Sequence, residues 1–296
     1  MKLLRNLFDF ERPETNGDLI FFKAFELFIL LGISNLAWSW GFYILRISDV
    51  VLPLGIARYV DVSFMFEYQL SLVNAALITG LMVAGFFRLT KYAYLSALLL
   101  LHLQYAARYS LGEIPHSSNK IGMTLLGLCL AMLLFSDDRH RRRFTLGFTY
   151  FFVGLGYTLS AFCKLIGTGL GWPDGRHLWM WINEKSIDSF AKTGMLEFNL
   201  LQELALSGQA LATMFLAIGL LTELFAFLAW WRRFRLPVLT SVIGLHIGIY
   251  LVMNIFFALS VYELLLLAFP WPAWLNWLAS RVSWMRVLER VSIRYA

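Results

Sequence analysis

Charge is scarce in this 296-residue chain: 15% of its residues are charged, against about 25% in an ordinary soluble domain. Hydrophobic residues make up 59% and aromatic residues 17%, and the mean hydropathy is +0.66. One soluble core of this length would leave too many Leu, Phe and Trp side chains in water. The composition therefore excludes an ordinary cytosolic enzyme and a disordered chain, and predicts a polytopic membrane protein.

Cysteine is almost as scarce. Cys129 and Cys163 both lie in apolar runs and no Cys-x-x-Cys occurs. That argues against a disulfide scaffold, a zinc ribbon and a dithiol redox enzyme. The pair reads as two buried thiols, with a single Cys129–Cys163 bridge as the alternative. His-x-x-x-His pairs and Cys/His clusters are also missing, so no metal is expected. No Walker loop, nucleophile elbow or dinucleotide fingerprint stands in the right context, which sets aside ATP-driven transport and serine hydrolysis. No internal repeat supports a small-solute transporter. Residues 1–18 are polar and mixed, without a signal-peptide pattern, and the first apolar run is too long for a cleaved segment. The first span is therefore expected to be retained.

What the chain has is apolar length. Seven blocks stand out: Leu19–Ile44, Tyr68–Phe87, Tyr92–Ser110, Ile121–Phe135, Phe144–Ile166, Gln209–Trp231 and Leu236–Phe269. A spanning helix needs about 20 such residues. The last block, at 34 residues, would make about 51 Å of helix against a hydrocarbon core of about 30 Å. It either projects far out or breaks near Asn254–Ser260. The net charge of +6 is spread in short basic clusters between the blocks. That pattern writes membrane topology and implies no nucleic-acid partner. With a cytoplasmic N-terminus and a broken last block, 17 of the 25 Lys and Arg residues lie inside and 8 outside. The positive-inside rule favours that arrangement.

The expected fold is thus an all-α polytopic membrane bundle of seven to eight transmembrane segments. Residues 1–18 form a cytoplasmic segment and residues 19–270 the transmembrane domain. Within that domain, residues 167–207 make a long extracytoplasmic loop, and loops of this length in small membrane proteins usually act. Residues 271–296 form an amphipathic tail in which Trp271, Trp274, Trp277 and Trp284 alternate with arginines. Such a segment lies at the headgroup level, so membrane lipids are the first expected partners.

Ionisable groups inside the apolar blocks are functional candidates because they are costly to bury. Tyr150, Gly154, Tyr157, Ala161 and Lys164 share one helical face. Lys164, at the outer end of the fifth block, reads either as a desolvated amine able to act as a base or as a side chain snorkelling to the headgroups. His246, Tyr250 and Asn254 follow at i, i+4 and i+8 in the seventh block. His246 reads as a base or as a hydrogen-bonded structural group. Glu223, deep in the sixth block, needs a partner, for which Arg232, Arg233 or a histidine on a neighbouring helix would serve. His116 and Asn119, in Pro115-His-Ser-Ser-Asn119, read as a site or as a helix cap. Lys23 and Glu26, at i and i+3, read as a local ion pair.

The run Tyr157-Thr-Leu-Ser-Ala-Phe-Cys-Lys164-Leu165 followed by Trp172-Pro-Asp174-Gly175 resembles the Tyr…Gly-x-x-Lys-Leu…Trp-x-x-Gly signature of the vitamin K-dependent γ-carboxylase-like family, also called HTTM-domain proteins. Glu223, Arg232-Arg-Phe-Arg235, Leu245-His246 and Phe256-Phe257 are similar to that family's downstream series, and the likeness spans residues 19–270. Ala161 stands where the signature has glycine. In the carboxylases the lysine matching Lys164 is the base that deprotonates reduced vitamin K. Oxygen then yields the stronger base that takes a substrate γ-proton, and CO₂ captures the carbanion. The resemblance implies an outer-leaflet site with Lys164, His116 and His246 catalytic. Tyr157, Trp172, Asp174, Gly175, Glu223, Tyr250 and Asn119 would bind a quinone-like or other lipophilic substrate, with reduced quinone as the implied cofactor. Animal carboxylases also carry a large soluble substrate-binding region, whereas this chain closes on its amphipathic tail. Shorter bacterial relatives suggest a bacterial inner membrane and a second expectation, a non-enzymatic maturation or scaffold factor for a secreted peptide or a thiol-redox protein.

Overall fold

The computed structural model describes residues 2–46, 51–112 and 119–281. Among them 82% are helical and none lies in a strand. The backbone must satisfy its own hydrogen bonds wherever water is excluded, and for a single apolar segment only a helix does so. The helices are α1 (Lys2–Phe8), α2 (Asn16–Arg46), α3 (Leu70–Phe86), α4 (Ala93–Tyr109), α5 (Asn119–Leu134), α6 (Asp138–Thr168), α7 (Gly175–Thr193), α8 (Leu200–Leu206), α9 (Gln209–Leu224), α10 (Arg235–Met253), α11 (Ala258–Ala268) and α12 (Trp271–Arg281). Among the described residues four helical stretches are long and apolar enough to cross a bilayer: Asn16–Arg46, Asp138–Gly171, Gln209–Trp230 and Arg232–Met253. The count is five if Ala258–Ala268 and Trp271–Arg281 act as one broken span, and Leu70–Phe86 and Lys120–Leu134 are shorter apolar helices.

The chain divides into two compact units. One comprises residues 8–149 and 270–296, the other residues 1–7 and 150–269. In the first, α2, α3 and α4 pack around Phe25, Ile29, Ile33, Ala75, Ile78 and Ala97, each fully buried. Polar groups inside this core are paired. Asn74 Nδ2 donates to Gln104 Oε1 at 3.1 Å, and Gln104 Nε2 donates to Ala37 O at 2.8 Å. Glu26 is completely buried, yet Lys23 Nζ lies 2.9 Å from it, Arg88 Nη1 3.2 Å, and the Tyr94 hydroxyl donates to it at 2.6 Å. The expected local Lys23–Glu26 pair is thus one arm of a cluster that ties α2 to α3 and α4. The amphipathic α12 docks through Asn276, whose Oδ1 accepts from Gly17 N at 2.7 Å. Its Trp274 and Trp277 stay about half exposed.

In the second unit the α6 stretch from Tyr150 onward bonds to α9, α10 and α11, and α7 and α8 pack against α9 and α10. The apolar block 236–269 is broken: α10 ends at Met253, Asn254 adopts a left-handed backbone with φ 53°, and α11 starts at Ala258. α11 has 11 residues, about 16 Å of rise, so it does not cross a 30 Å core alone.

Candidate functional site

The polar stripe of α6 faces the interior of this unit. The Tyr150 hydroxyl donates to Leu267 O at 2.8 Å. Gly154 lets Trp230 approach so closely that an added Cβ would sit 2.6 Å from Nε1. Tyr157 is hydrogen-bonded to His246, Ala161 is fully buried, and Lys164 pairs with Glu223. Period-3.6 spacing brings all five onto one face.

The order of contacts shows that α6 runs antiparallel to α9 and the turn after it. Phe151 accepts from Trp230, Gly154 meets Ala226, and Thr158 donates toward Glu223 O and Leu224 O. Glu223 is 7% exposed, and the Lys164 side chain is 28% exposed. On its other side the Lys164 ammonium lies 4.7 Å from the centroid of the Trp172 ring, a cation–π contact.

The pair borders a cavity of about 610 Å³, most of whose lining is aliphatic or aromatic. Cavities that take small ligands fall in the range of about 300–1,000 Å³, with apolar walls and a few placed polar groups. Here the polar groups are Lys164, Glu223, Thr222 and Ser241. Leu178 and Trp181 of α7 and Leu201 of α8 line it from the segment after α6. That segment is largely helical. It is held by paired ends. Asp174 Oδ1 caps α7 by accepting from Arg176 N at 2.9 Å, and its carboxylate also receives the Arg176 guanidinium at 2.5 Å. That hydrogen-bonded guanidinium, with the capped amide, holds the Asp174 carboxyl well below the ordinary carboxylate value. Gly175 lies against α9, where a Cβ would stand 2.3 Å from Gln209 O. Asn199 and Gln202 form a capping box at the start of α8. They also donate to Leu251 O and Val252 O at 2.6 and 3.0 Å, carbonyls in the last turn of α10.

Behind the cavity His246 is 5% exposed. Its ring meets Phe257 edge-on at 5.2 Å, and Phe257 lines the cavity. Glu263, 1% exposed, is a second buried carboxylate of this unit.

The structure therefore brings Lys164, Trp172 and Glu223 to the cavity, with Tyr157 and His246 as a pair behind it. Asp174 and Gly175 shape the segment that closes it. Tyr250 is not brought there: it is 44% exposed and packs on Phe256 at 5.3 Å. The helical strip through His246 ends because Asn254 leaves the helix as its cap. The partner of Glu223 is Lys164, in place of the expected Arg232, Arg233 or histidine. Cys163 is exposed and unbridged, contrary to the expected pair of buried thiols, because it sits off the stripe. His116 lies outside the described residues, as does the side chain of Asn119. Phe257 entered the sequence reading only through the resemblance, and that reading missed Trp181, Glu263 and the α10 face Ser241-Gly244-Gly248. The last has a legible signal in its i, i+3, i+7 spacing of small residues.

No group of three metal-ligating side chains exists among the described residues. An apolar slot with a donor and an acceptor at one wall does fit a quinol-type ring with hydroxyl groups. No family model matches the chain, and neither does any curated protein or solved structure.

Proposed function

We propose that this chain is an integral membrane protein of the γ-carboxylase-like type whose cavity binds a lipophilic, quinone-like substrate, with Lys164 as its acid–base group. The observation that carries the reading is the Lys164–Glu223 pair on the wall of an apolar cavity of about 610 Å³. The sequence resemblance supports it independently, through Lys164-Leu165 and Trp172-x-x-Gly175. In the same reading the chain has seven to eight membrane segments, lies in a bacterial inner membrane with its N-terminus cytoplasmic, and presents the cavity toward the outer leaflet.

Within that reading, each residue has a task. Movement of a proton from Lys164 Nζ to Glu223 Oε2 leaves a neutral amine beside a neutral acid, and in that form Lys164 accepts a proton from a bound hydroxyl. Glu223 keeps the proton close and orients the amine. Trp172 stacks over the ammonium and favours the charged form that results. The Tyr157–His246 pair fixes the backs of α6 and α10 and keeps polar groups satisfied behind Phe257. Reduced quinone, when bound, supplies the hydroxyl to be deprotonated and the reducing electrons for oxygen.

The test is menaquinol-dependent oxygen consumption by the purified protein, wild type beside Lys164→Ala, Lys164→Arg and Glu223→Gln. The expected result is activity in the wild type and at least a hundredfold loss in Lys164→Ala, about the contribution of one acid–base group. Equal activity in all four proteins would overturn the role of Lys164.

A second reading, a maturation or scaffold factor, is favoured by the outward face of α7. There Met180, Ile187 and Phe190 are 67%, 65% and 51% exposed and share one side of the helix. Co-purification of a secreted peptide that is lost on Ile187→Glu would support that reading.

A further inference from the structure

The cavity beside Lys164 is lined by two adjacent helices, α9 and α10, over much of their lengths. On α10 its lining runs from Ser241 to Met253, about 18 Å of helix. On α9, packed alongside, it runs from Phe215 to Glu223. Where the two helices face the slot, α10 places Ser241, Gly244 and Gly248. A Cβ added at Gly244 or Gly248 would meet no atom of a neighbouring element within 4 Å. These glycines are therefore not required for helix packing. They leave open space, and a glycine inside a helix costs about 0.5–1 kcal/mol relative to alanine.

The slot is closed at one end and open along one side. Its closed end lies under α7 and α8, where Leu178, Trp181 and Leu201 cover it and α8 is latched to the Leu251 and Val252 carbonyls. The open side lies between α9 and α10. Ile218, Ser241 and Gly244 line the slot and are exposed at the same time. Both helices are among those long and apolar enough to cross a bilayer, so this side faces lipid in the reading given above. The polar groups it leads to carry no net charge as a pair: Lys164 offers a donor and Glu223 an acceptor. A phosphate head would meet the Glu223 carboxylate and be repelled. A neutral hydroxyl or carbonyl head would be satisfied by both.

We infer that the α9–α10 seam is a lateral portal through which a neutral-headed, single-chain amphiphile enters from the bilayer, and that Gly244 and Gly248 set the thickness of chain it admits. The inference rests on the reading of the cavity as a ligand site. The head group lies against Lys164 and Glu223 and the chain runs over the glycine face of α10. A side chain at either glycine fills the slot while leaving the helix and its backbone hydrogen bonds intact.

The experiment uses the full chain in lipid nanodiscs with two photoreactive probes, a diazirine-bearing octadecanol dissolved in the bilayer and a short water-soluble diazirine alcohol. Labelled residues are mapped by mass spectrometry in wild type, Gly244→Leu, Gly248→Leu and the control Gly156→Leu. Gly156 has equally open space on the exposed face of α6 and does not line the cavity. Helical content and thermal midpoint check each fold, and Gly→Ala variants replace any leucine variant that fails to fold.

The octadecanol is expected to label Ile218, Thr222 and Leu245 in wild type and in Gly156→Leu. Labelling should fall at least about tenfold in the two slot-filling leucine variants, the scale of overpacking a filled pocket, and by less in the alanine versions. If neither probe labels the cavity in wild type, the ligand-site reading fails, and the portal with it. If the octadecanol labels wild type and both slot variants equally, the site stands and the portal is wrong. Preferential labelling by the water-soluble probe would also overturn it, because the route would then be aqueous.

Discussion

Lys164 and Glu223 lean toward each other because their helices run in opposite directions. Every Cα–Cβ bond tilts toward its own helix N-terminus, so on antiparallel α6 and α9 two long side chains converge although their backbones sit at different levels. Thr158, one and a half turns before Lys164, is already level with the Glu223 carbonyl. Neither charge could have been buried alone at this place without large cost. Together they put an amine and a carboxylate on the wall of an apolar slot.

A pair of this kind has a structural consequence separable from any chemistry. Lys164→Met leaves the 7%-exposed Glu223 without its cation and should destabilise by about 1–3 kcal/mol, less than a fully buried pair because the lysine is partly exposed. The double change Lys164→Met with Glu223→Leu should recover most of that loss, since apolar groups replace both charges. Thermal unfolding in detergent measures both. Oxygen consumption should remain abolished in the double variant. Recovered activity would show that the pair serves packing only.

The Tyr157–His246 contact makes a second prediction. Tyr157→Phe should lower stability by about 1–2 kcal/mol, because the buried imidazole loses a partner. His246→Phe should cost a similar amount, and the double variant less than the sum. A coupling energy of about 1 kcal/mol in the cycle is expected for residues in direct contact. Strictly additive losses would deny the bond.

Much of this architecture was legible from spacing. Period-3.6 reasoning put Tyr157 and Lys164 on one inward face, and the excess length of block 236–269 left either a long projection or a break near Asn254–Ser260, of which the break occurs, at Asn254. What stayed hidden lies between helices. Lys23 and Glu26 are visible as an i, i+3 pair, but Arg88 in the turn after α3 and Tyr94 on α4 also reach Glu26, and nothing local announces that. Glu223 was equally visible as a costly charge, while its partner was sought among Arg232, Arg233 or a histidine. Helix direction, which decides that Lys164 is the partner, is a tertiary fact. The strip from His246 to Asn254 failed for the opposite reason: a regular period was extended past the residue that ends the helix.

Gly175 ends the run Trp172-Pro-Asp-Gly175, and its place against α9 leaves no room for a side chain. A methyl there would stand 2.3 Å from Gln209 O and 2.7 Å from the Ala212 side chain, so α7 would be pushed off α9. Gly175→Ala should cost about 1–3 kcal/mol, as overpacking does. The loss should be local. Hydrogen exchange is expected to quicken across residues 175–206 while α2 to α4 keep their protection. Unchanged protection in α7 would remove the argument that this glycine is a packing requirement.

Asp174 supplies a pH dependence whose sign follows from its partners. Its carboxyl is held below the ordinary value of 3.8 by the Arg176 guanidinium and the capped amide. A depressed carboxylate contributes stability that is fully present above its unfolded value and is lost as pH falls through its folded one. The start of α7 should therefore keep its protection from neutral pH down to about 4 and lose it only under stronger acid, as the carboxylate is neutralised and both the cap and the Arg176 bridge weaken. Asp174→Asn retains a capping oxygen but gives up the charge, so it should flatten this pH dependence while leaving most of the capping at neutral pH. Asp174→Ala removes both and should fray residues 175–178 at every pH. Hydrogen exchange of these amides across an acid series reads all three outcomes. An identical acid profile in wild type and Asp174→Asn would assign the pH dependence to another group.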